Sequence, residues 1–190
     1  YILSYSHALH EYHKGEYLFH DISKNTHENI FYYILDGYTL VHGTTETGDR
    51  KIICYYAKGT FPNIDLNYRV FSNYATEIVE AMTNVTVLLF SKDTIVEMLK
   101  NSFEFTKTVI NFNSEIIALL SYQSITLPYL SAETRLCDFL YLSYIFHPEV
   151  QRHSPEKVFA SQEQISQFIG VTRPQVTRMV GKLKEEGIIE

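Results

Sequence analysis

The sequence predicts an α+β chain: a β-rich N-terminal half, one long helix, and a helical C-terminal segment that ends in two short capped helices. Three observations carry this. Residues 1 to about 90 are rich in Tyr, Phe, Ile, Val and Thr, in short runs punctuated by turn residues. From about residue 91 the apolar spacing becomes helical. Between Ser161 and Gly187, two N-cap signals flank a single glycine at helix-turn-helix spacing.

The β-rich half contains a run from Ile30 to Val41, interrupted at Asp36-Gly37, and a run from Lys51 to Ala57 that follows the turn residues Glu46 to Asp49. Lys58-Gly59 is the next turn, and Ile78 to Phe90 reads as a last, loosely alternating run. Short strands at this spacing suggest a sandwich or barrel.

Ser91 is placed to cap a short helix over 92–100, on the stripe Ile95, Val96, Leu99. Asn101 with Glu104 resembles a capping box for a second helix running to about Thr126. Along it, Phe105, Val109, Phe112, Ile116 and Leu119 recur at alternating spacings of four and three, a heptad seam that Gln123 interrupts. Phe103, Ile110, Ile117 and Leu120 form a second stripe. Two apolar faces call for two partners. One is the chain's own barrel; the other is either an identical helix in a symmetric dimer or further layers of a single domain. Pro128 is expected to break this helix, with a hinge over 127–130. Ser131 caps the next helix, Ala132 to about His147, whose core is Leu136, Phe139, Leu140 and Leu142 to Ile145; the polar stretch 149–157, with Pro155, reads as a loop.

Ser161-x-x-Gln164 is a capping box that opens a helix carrying Ile165, Phe168 and Ile169, and Gly170 ends it. Thr172-x-x-Gln175 opens the next, with Val176, Val180 and Leu183 on one face and Gly187 at its end. In a helix-turn-helix the first turn of the second helix enters the major groove. That turn carries Thr172, Arg173, Pro174, Gln175, Thr177 and Arg178, with Lys182 further along. Arginine suits guanine O6 and N7, and Pro174 falls where a missing N–H costs little. Charge agrees. The net charge is −6, yet residues 151–190 sum to +1, and 172–184 holds Arg173, Arg178, Lys182 and Lys184 without an acid.

Taken together, the segment 161–189 resembles the helix-turn-helix signature of the Crp/Fnr superfamily. Upstream, Gly15-Glu-Tyr-Leu-Phe19, Ile34-Leu35-x-Gly37 and Ala57-Lys58-Gly59-x-Phe61 are similar to landmarks of its cyclic-nucleotide-binding-like barrel, a jelly roll. The resemblance implies a barrel sensor over 1–90, a short helix plus a dimerisation helix over 91–127, and a winged helix-turn-helix over 128–190 whose wing, due after Ile189, is cut off at Glu190. It makes positions 173, 174, 177 and 178 the base-reading positions. Arg178 matches the usual arginine, and Pro174 replaces the usual glutamate, which alters the expected half-site. It implies a homodimer through Phe105, Val109, Phe112, Ile116, Leu119 and Gln123, bound to an inverted-repeat DNA operator, with RNA polymerase as a further partner.

Cyclic-AMP-binding members carry a Gly-Glu pair and an Arg-Ser/Thr-Ala triplet. Here Asn63-Ile64 and Ala75-Thr76-Glu77 fall at those places. An anionic ligand cannot be held without donors or compensating charge, and Arg69, the nearest substitute, lacks the triplet. The expected effector is therefore something other than a cyclic nucleotide, of unknown identity, and the chain resembles the cassette-free members of the family. Phe31, Tyr32, Tyr33, Tyr55, Tyr56 and Phe61 either line an apolar effector pocket or simply fill the core.

The alternatives are a cyclic-nucleotide-responsive regulator and a cupin-type barrel metalloenzyme. The second needs His7, His10, His13 and Glu11 on one face, which a strand does not give, and it leaves 161–189 unexplained. No cysteine cluster exists for iron and sulfur, nothing specifies haem, and no nucleophile–base pair or phosphate loop is visible. No enzyme activity, cofactor or metal is expected. Cys54 and Cys137 are expected to be buried free thiols in a reducing cytoplasm. No apolar run is long enough for a membrane span and there is no basic-then-apolar leader, although the first residue, Tyr1, leaves room for preceding sequence.

Overall fold

The computed structural model describes residues 2–6, 8–18, 30–44, 48–62, 76–146 and 160–190. They form two compact units, residues 1–119 and 120–190. The first is built from seven strands: β1 (Ala8–Tyr12), β2 (Tyr17–Leu18), β3 (Ile30–Asp36), β4 (Tyr38–Thr44), β5 (Arg50–Ala57), β6 (Thr76–Ala81) and β7 (Val85–Ser91). They pair antiparallel in two sheets, of order β1-β7-β3 and β2-β6-β4-β5. Alternation decides what faces inward. On β5, Ile52, Cys54 and Tyr56 are buried and their neighbours are not. Tyr32, Ile34, Val85 and Val87 of one sheet meet Val41, Cys54, Tyr56 and Val79 of the other in a shared core, the double-sheet arrangement of a jelly roll.

Gly37 makes the β3–β4 corner. Its φ is +90°, and a Cβ there would press into the Asn84 carbonyl and the Thr83 side chain, so only glycine fits. The corner is held by Tyr38 N donating to Thr83 Oγ1 (3.1 Å) and Met82 N donating to the Tyr38 carbonyl (2.9 Å). The apparent single run Ile78 to Phe90 is two strands, split at 82–84. A 13-residue run looks continuous because both halves are β-branched and apolar, but β6 joins one sheet and β7 the other. The aromatic residues Phe31, Tyr32, Tyr56 and Phe61 are buried core members. Phe61 stacks among Tyr33, Phe90 and Phe105 at ring separations of 4.9–5.5 Å.

Ser91 caps α1 (Lys92–Asn101) as expected, its Oγ accepting from Thr94 N at 3.2 Å. The cap of α2 (Phe103–Tyr129) is Ser102, whose Oγ accepts from Phe105 N at 3.2 Å, and not Asn101, which still belongs to α1. The two helices lie so close in sequence that one residue serves as the end of one and the cap of the other. Pro128 does not break α2 early. It sits in the last turn, and Leu130 N still donates to the Thr126 carbonyl. A proline there removes one bond at an end that is already fraying.

Of the two stripes of α2, the heptad seam is the one that packs on this chain's own sheets. Phe105 and Val109 are buried in a cluster with Phe31, Phe61, Leu88, Phe90, Ile95 and Met98. Phe112, Ile116 and Leu119 pack half-buried on the inter-sheet core, with Phe112 5.6 Å from the Tyr56 ring. This seam, expected to meet a second chain, meets the barrel of its own. Phe103, Ile110, Ile117 and Leu120 are the exposed stripe, at 77, 58, 64 and 41%. Phe105 and Phe112 of the seam pack their rings against Phe61 and Tyr56 respectively.

Candidate nucleic-acid interface

Among its described residues the second unit contains the last turns of α2 and three helices: α3 (Ala132–Phe146), α4 (Gln162–Ile169) and α5 (Arg173–Glu185). Ser131 caps α3 through Thr134 N at 3.1 Å. Ser161 and Gln164 cap α4 reciprocally: Ser161 Oγ accepts from Gln164 N at 3.2 Å and Gln164 Oε1 accepts from Ser161 N at 2.9 Å. Gly170 closes α4 in the left-handed region, φ 68°, ψ 49°, and lets Gly170 N and Val171 N both donate to the Ser166 carbonyl. The core of the unit is Leu136 and Phe139 of α3, Ile165 and Ile169 of α4, and Val176 of α5, with the Phe139 and Phe168 rings 5.0 Å apart.

α5 starts at Thr172 in the expected capping box. Gln175 Oε1 accepts from both the backbone N–H and the hydroxyl of Thr172, each at 2.9 Å. Gln175 N also donates to the Thr172 carbonyl at 3.0 Å. Thr177 Oγ1 lies 2.7 Å from Gln162 Oε1 and 3.1 Å from the Arg173 carbonyl. Gln175, through its side-chain oxygen, and Thr177, through its hydroxyl, thus also tie α5 to its own cap and to the start of α4. Lys182 Nζ is 3.4 Å from Glu133 Oε1; both side chains are more than half exposed, and such a surface pair contributes about 0–1 kcal/mol.

At 100° per residue, Val176, Val180 and Leu183 face inward, and Pro174, Arg178 and Gly181 lie on the opposite side. Arg173 and Arg178 are exposed, and neither pairs with a carboxylate among the described residues. Nothing lies within 4 Å of where a Gly181 side chain would begin. The outward face therefore presents the Arg178 guanidinium beside a low surface formed by proline and glycine, while Arg173, though exposed, stands about 60° round the helix from Val176. That shape admits a flat or grooved polyanion to the helix. Gly181 was legible in the sequence and went unused, because a mid-helix glycine reads as a weakness in the helix.

The remaining expected site positions fall elsewhere. Asn63, Ile64, Arg69, Ala75, His7 and Phe19 lie outside the described residues, as do 45–47 and the loop 149–157; the side chains of Thr76 and Glu77 are likewise not described. Among the described residues no three His, Cys, Asp or Glu side chains gather as metal ligands, and no helix is long and apolar enough to cross a membrane. His10 stacks on Tyr12 at 4.6 Å. Cys54 is buried, but Cys137 is exposed. It lies beside Leu136 on α3, one step around the helix from the side that packs.

A double-sheet unit, a long helix and a capped helix-turn-helix follow one another along the chain. Residues 134–190 match the Crp-like helix-turn-helix domain. The whole fold is similar to CLP, the c-di-GMP responsive global regulator of Xanthomonas campestris, at 16% identity and TM-score 0.74 over 98% of this chain and 90% of that one. It is similar to a CooA mutant from Carboxydothermus hydrogenoformans at 18% and 0.75, over 100 and 81%. A CRP/FNR-family transcriptional regulator from Thermus thermophilus matches at 16% and 0.67, over 95 and 87%. No curated protein matches by sequence. Residues 134–190 thus match a Crp-like helix-turn-helix domain, and the chain as a whole has the fold of these solved regulators.

Proposed function

We propose that the chain binds an inverted-repeat DNA operator as a homodimer, with Arg178 reading a guanine in each half-site and Arg173, Pro174 and Lys182 beside it on phosphate and groove edges. The observation that carries this is the outward face of α5, where an unpaired Arg178 lies opposite the buried Val176. The second copy docks on the exposed stripe of α2, Phe103, Ile110, Ile117 and Leu120, since Phe105 and Val109 are committed to the barrel. The barrel modulates DNA binding in response to an effector other than a cyclic nucleotide; Asn63, Ile64 and Ala75 supply neither the carboxylate nor the guanidinium that a cyclic nucleotide needs. The chain acts in the cytoplasm, contacts RNA polymerase and catalyses no reaction.

Selection of bound fragments from random duplex DNA, followed by sequencing, tests this. An enriched inverted repeat, with half-site centres about one helical turn (roughly 34 Å) or a multiple of it apart, is the expected result. Recovery of unenriched DNA would overturn it.

A further inference from the structure

We infer that Arg135 of α3 is a positioning residue for DNA reading: it holds the turn between α4 and α5, and through it the aim of Arg178. This rests on the reading of α5 given above. Arg135 Nη1 donates to the carbonyl of Ile169, the last residue of α4, at 2.6 Å. A charged donor at a helix C-terminus meets the negative end of the helix dipole as well as a carbonyl with no partner in its own helix. The guanidinium is held at a cost, because its Nε is buried and has no hydrogen-bond partner.

The next residue, Gly170, is enclosed from two sides. A Cβ on it would lie 3.0 Å from Leu127 Cδ2 of α2 and 3.6 Å from Arg135 Nη1. The turn is thus seated between α2 and α3, and α3 is itself tied to α2 by Tyr122 Oη donating to the Asp138 carboxylate. Tyr122, Thr126, Arg135 and Phe168 border a cavity of about 20 Å³. That is room for about one water molecule, too little for an effector. The cluster is therefore a mechanical seat. Only Val171 and Thr172 separate Gly170 from the first residue of α5. A shift at the Ile169 carbonyl passes into α5 with little slack, and Arg178 lies within its first two turns.

Direct base readout depends on orientation to a fraction of an ångström, while phosphate attraction does not. Loss of the seat should therefore lower operator affinity and spare non-specific affinity. The test measures binding of wild type, Arg135→Met, Arg135→Lys, Leu127→Ala and Arg178→Ala to the selected operator and to a scrambled duplex across a salt series. Unfolding temperatures confirm that each variant is folded. Arg135→Met is expected to lose about tenfold in the operator-to-scrambled ratio with an unchanged salt slope, and Leu127→Ala to lose part of that ratio. Arg135→Lys, which can still donate to the carbonyl, should recover most of it. A folded Arg135→Met or Leu127→Ala that discriminates like wild type overturns the inference, as does a lysine variant no better than the methionine one. A reduced salt slope in Arg135→Met would make Arg135 a phosphate contact instead. Should Arg135→Met not fold, Leu127→Ala decides alone. A wild type that does not discriminate, or an Arg178→Ala that still does, would overturn the DNA-reading assignment itself.

Discussion

Val176 and Arg178 stand two positions apart on α5, one wholly buried and the other exposed, and the helical period alone sends them to opposite sides. Polar neighbours on the same turn follow no such simple rule. Gln175 and Thr177 were candidates for DNA contact by position, and Gln175 also reaches back to Thr172 and Thr177 across to Gln162. Short polar side chains near a helix start compete for local backbone and side-chain partners. Gly170 shows the opposite case, a residue whose role was readable from type and place. Its left-handed φ and the closeness of Leu127 both exclude a side chain. Gly170→Ala should destabilise the second unit by about 1–3 kcal/mol, from the conformational strain and the crowding combined. Urea unfolding followed by circular dichroism measures it. A loss under about 0.5 kcal/mol, within the range of ordinary surface substitutions, would mean that the turn relaxes freely.

Among the elements, α2 shows what a periodic pattern does and does not determine. Its existence, approximate length and two apolar faces were legible from residues 103–126, because spacing is local information. Which face meets the barrel was not legible, because both are apolar and the choice depends on the shape of a core assembled from distant strands. The same limit applies to the run 78–90, where sequence gives no sign that β6 and β7 join different sheets. The packing of the seam on the sheets alters the test of assembly. Charging Ile116 or Leu119 would damage the barrel contacts, but Ile117 is 64% exposed and can be changed without touching the core. Ile117→Asp should leave the thermal transition within a few degrees of wild type while placing like charges opposite each other across the two-fold axis. Sedimentation is expected to show a dimer for wild type and a monomer for the variant at micromolar concentration. A variant that dimerises as wild type does would move the interface elsewhere.

At the scale of the whole molecule, the two ends of the chain were unequally legible. The helix-turn-helix is specified by short-range chemistry, namely two caps, one glycine and one apolar register, and each fell within a residue or so of its expected place. The barrel is specified by long-range strand pairing, so composition gave its class and not its strand boundaries. The fold it shares with CLP and CooA leaves the effector open, since those likenesses lie at 16–18% identity. What links the ends is the claim that α5 reads sequence, and Arg178 is where that claim is most exposed. An arginine–guanine pair discriminates by roughly 1–3 kcal/mol. Arg178→Ala should therefore weaken binding to the selected operator by about ten- to a hundredfold, at about 1.4 kcal/mol per decade, and relax preference at one base pair in each half-site. Lys184→Ala, at a position expected to meet only phosphate, should weaken all sequences alike and reduce the salt slope by about one unit. The decisive measurement is fluorescence anisotropy of wild type and Arg178→Ala on operator and scrambled duplexes from low to high salt. The account predicts a loss confined to the operator, and an equal loss on both duplexes would contradict it.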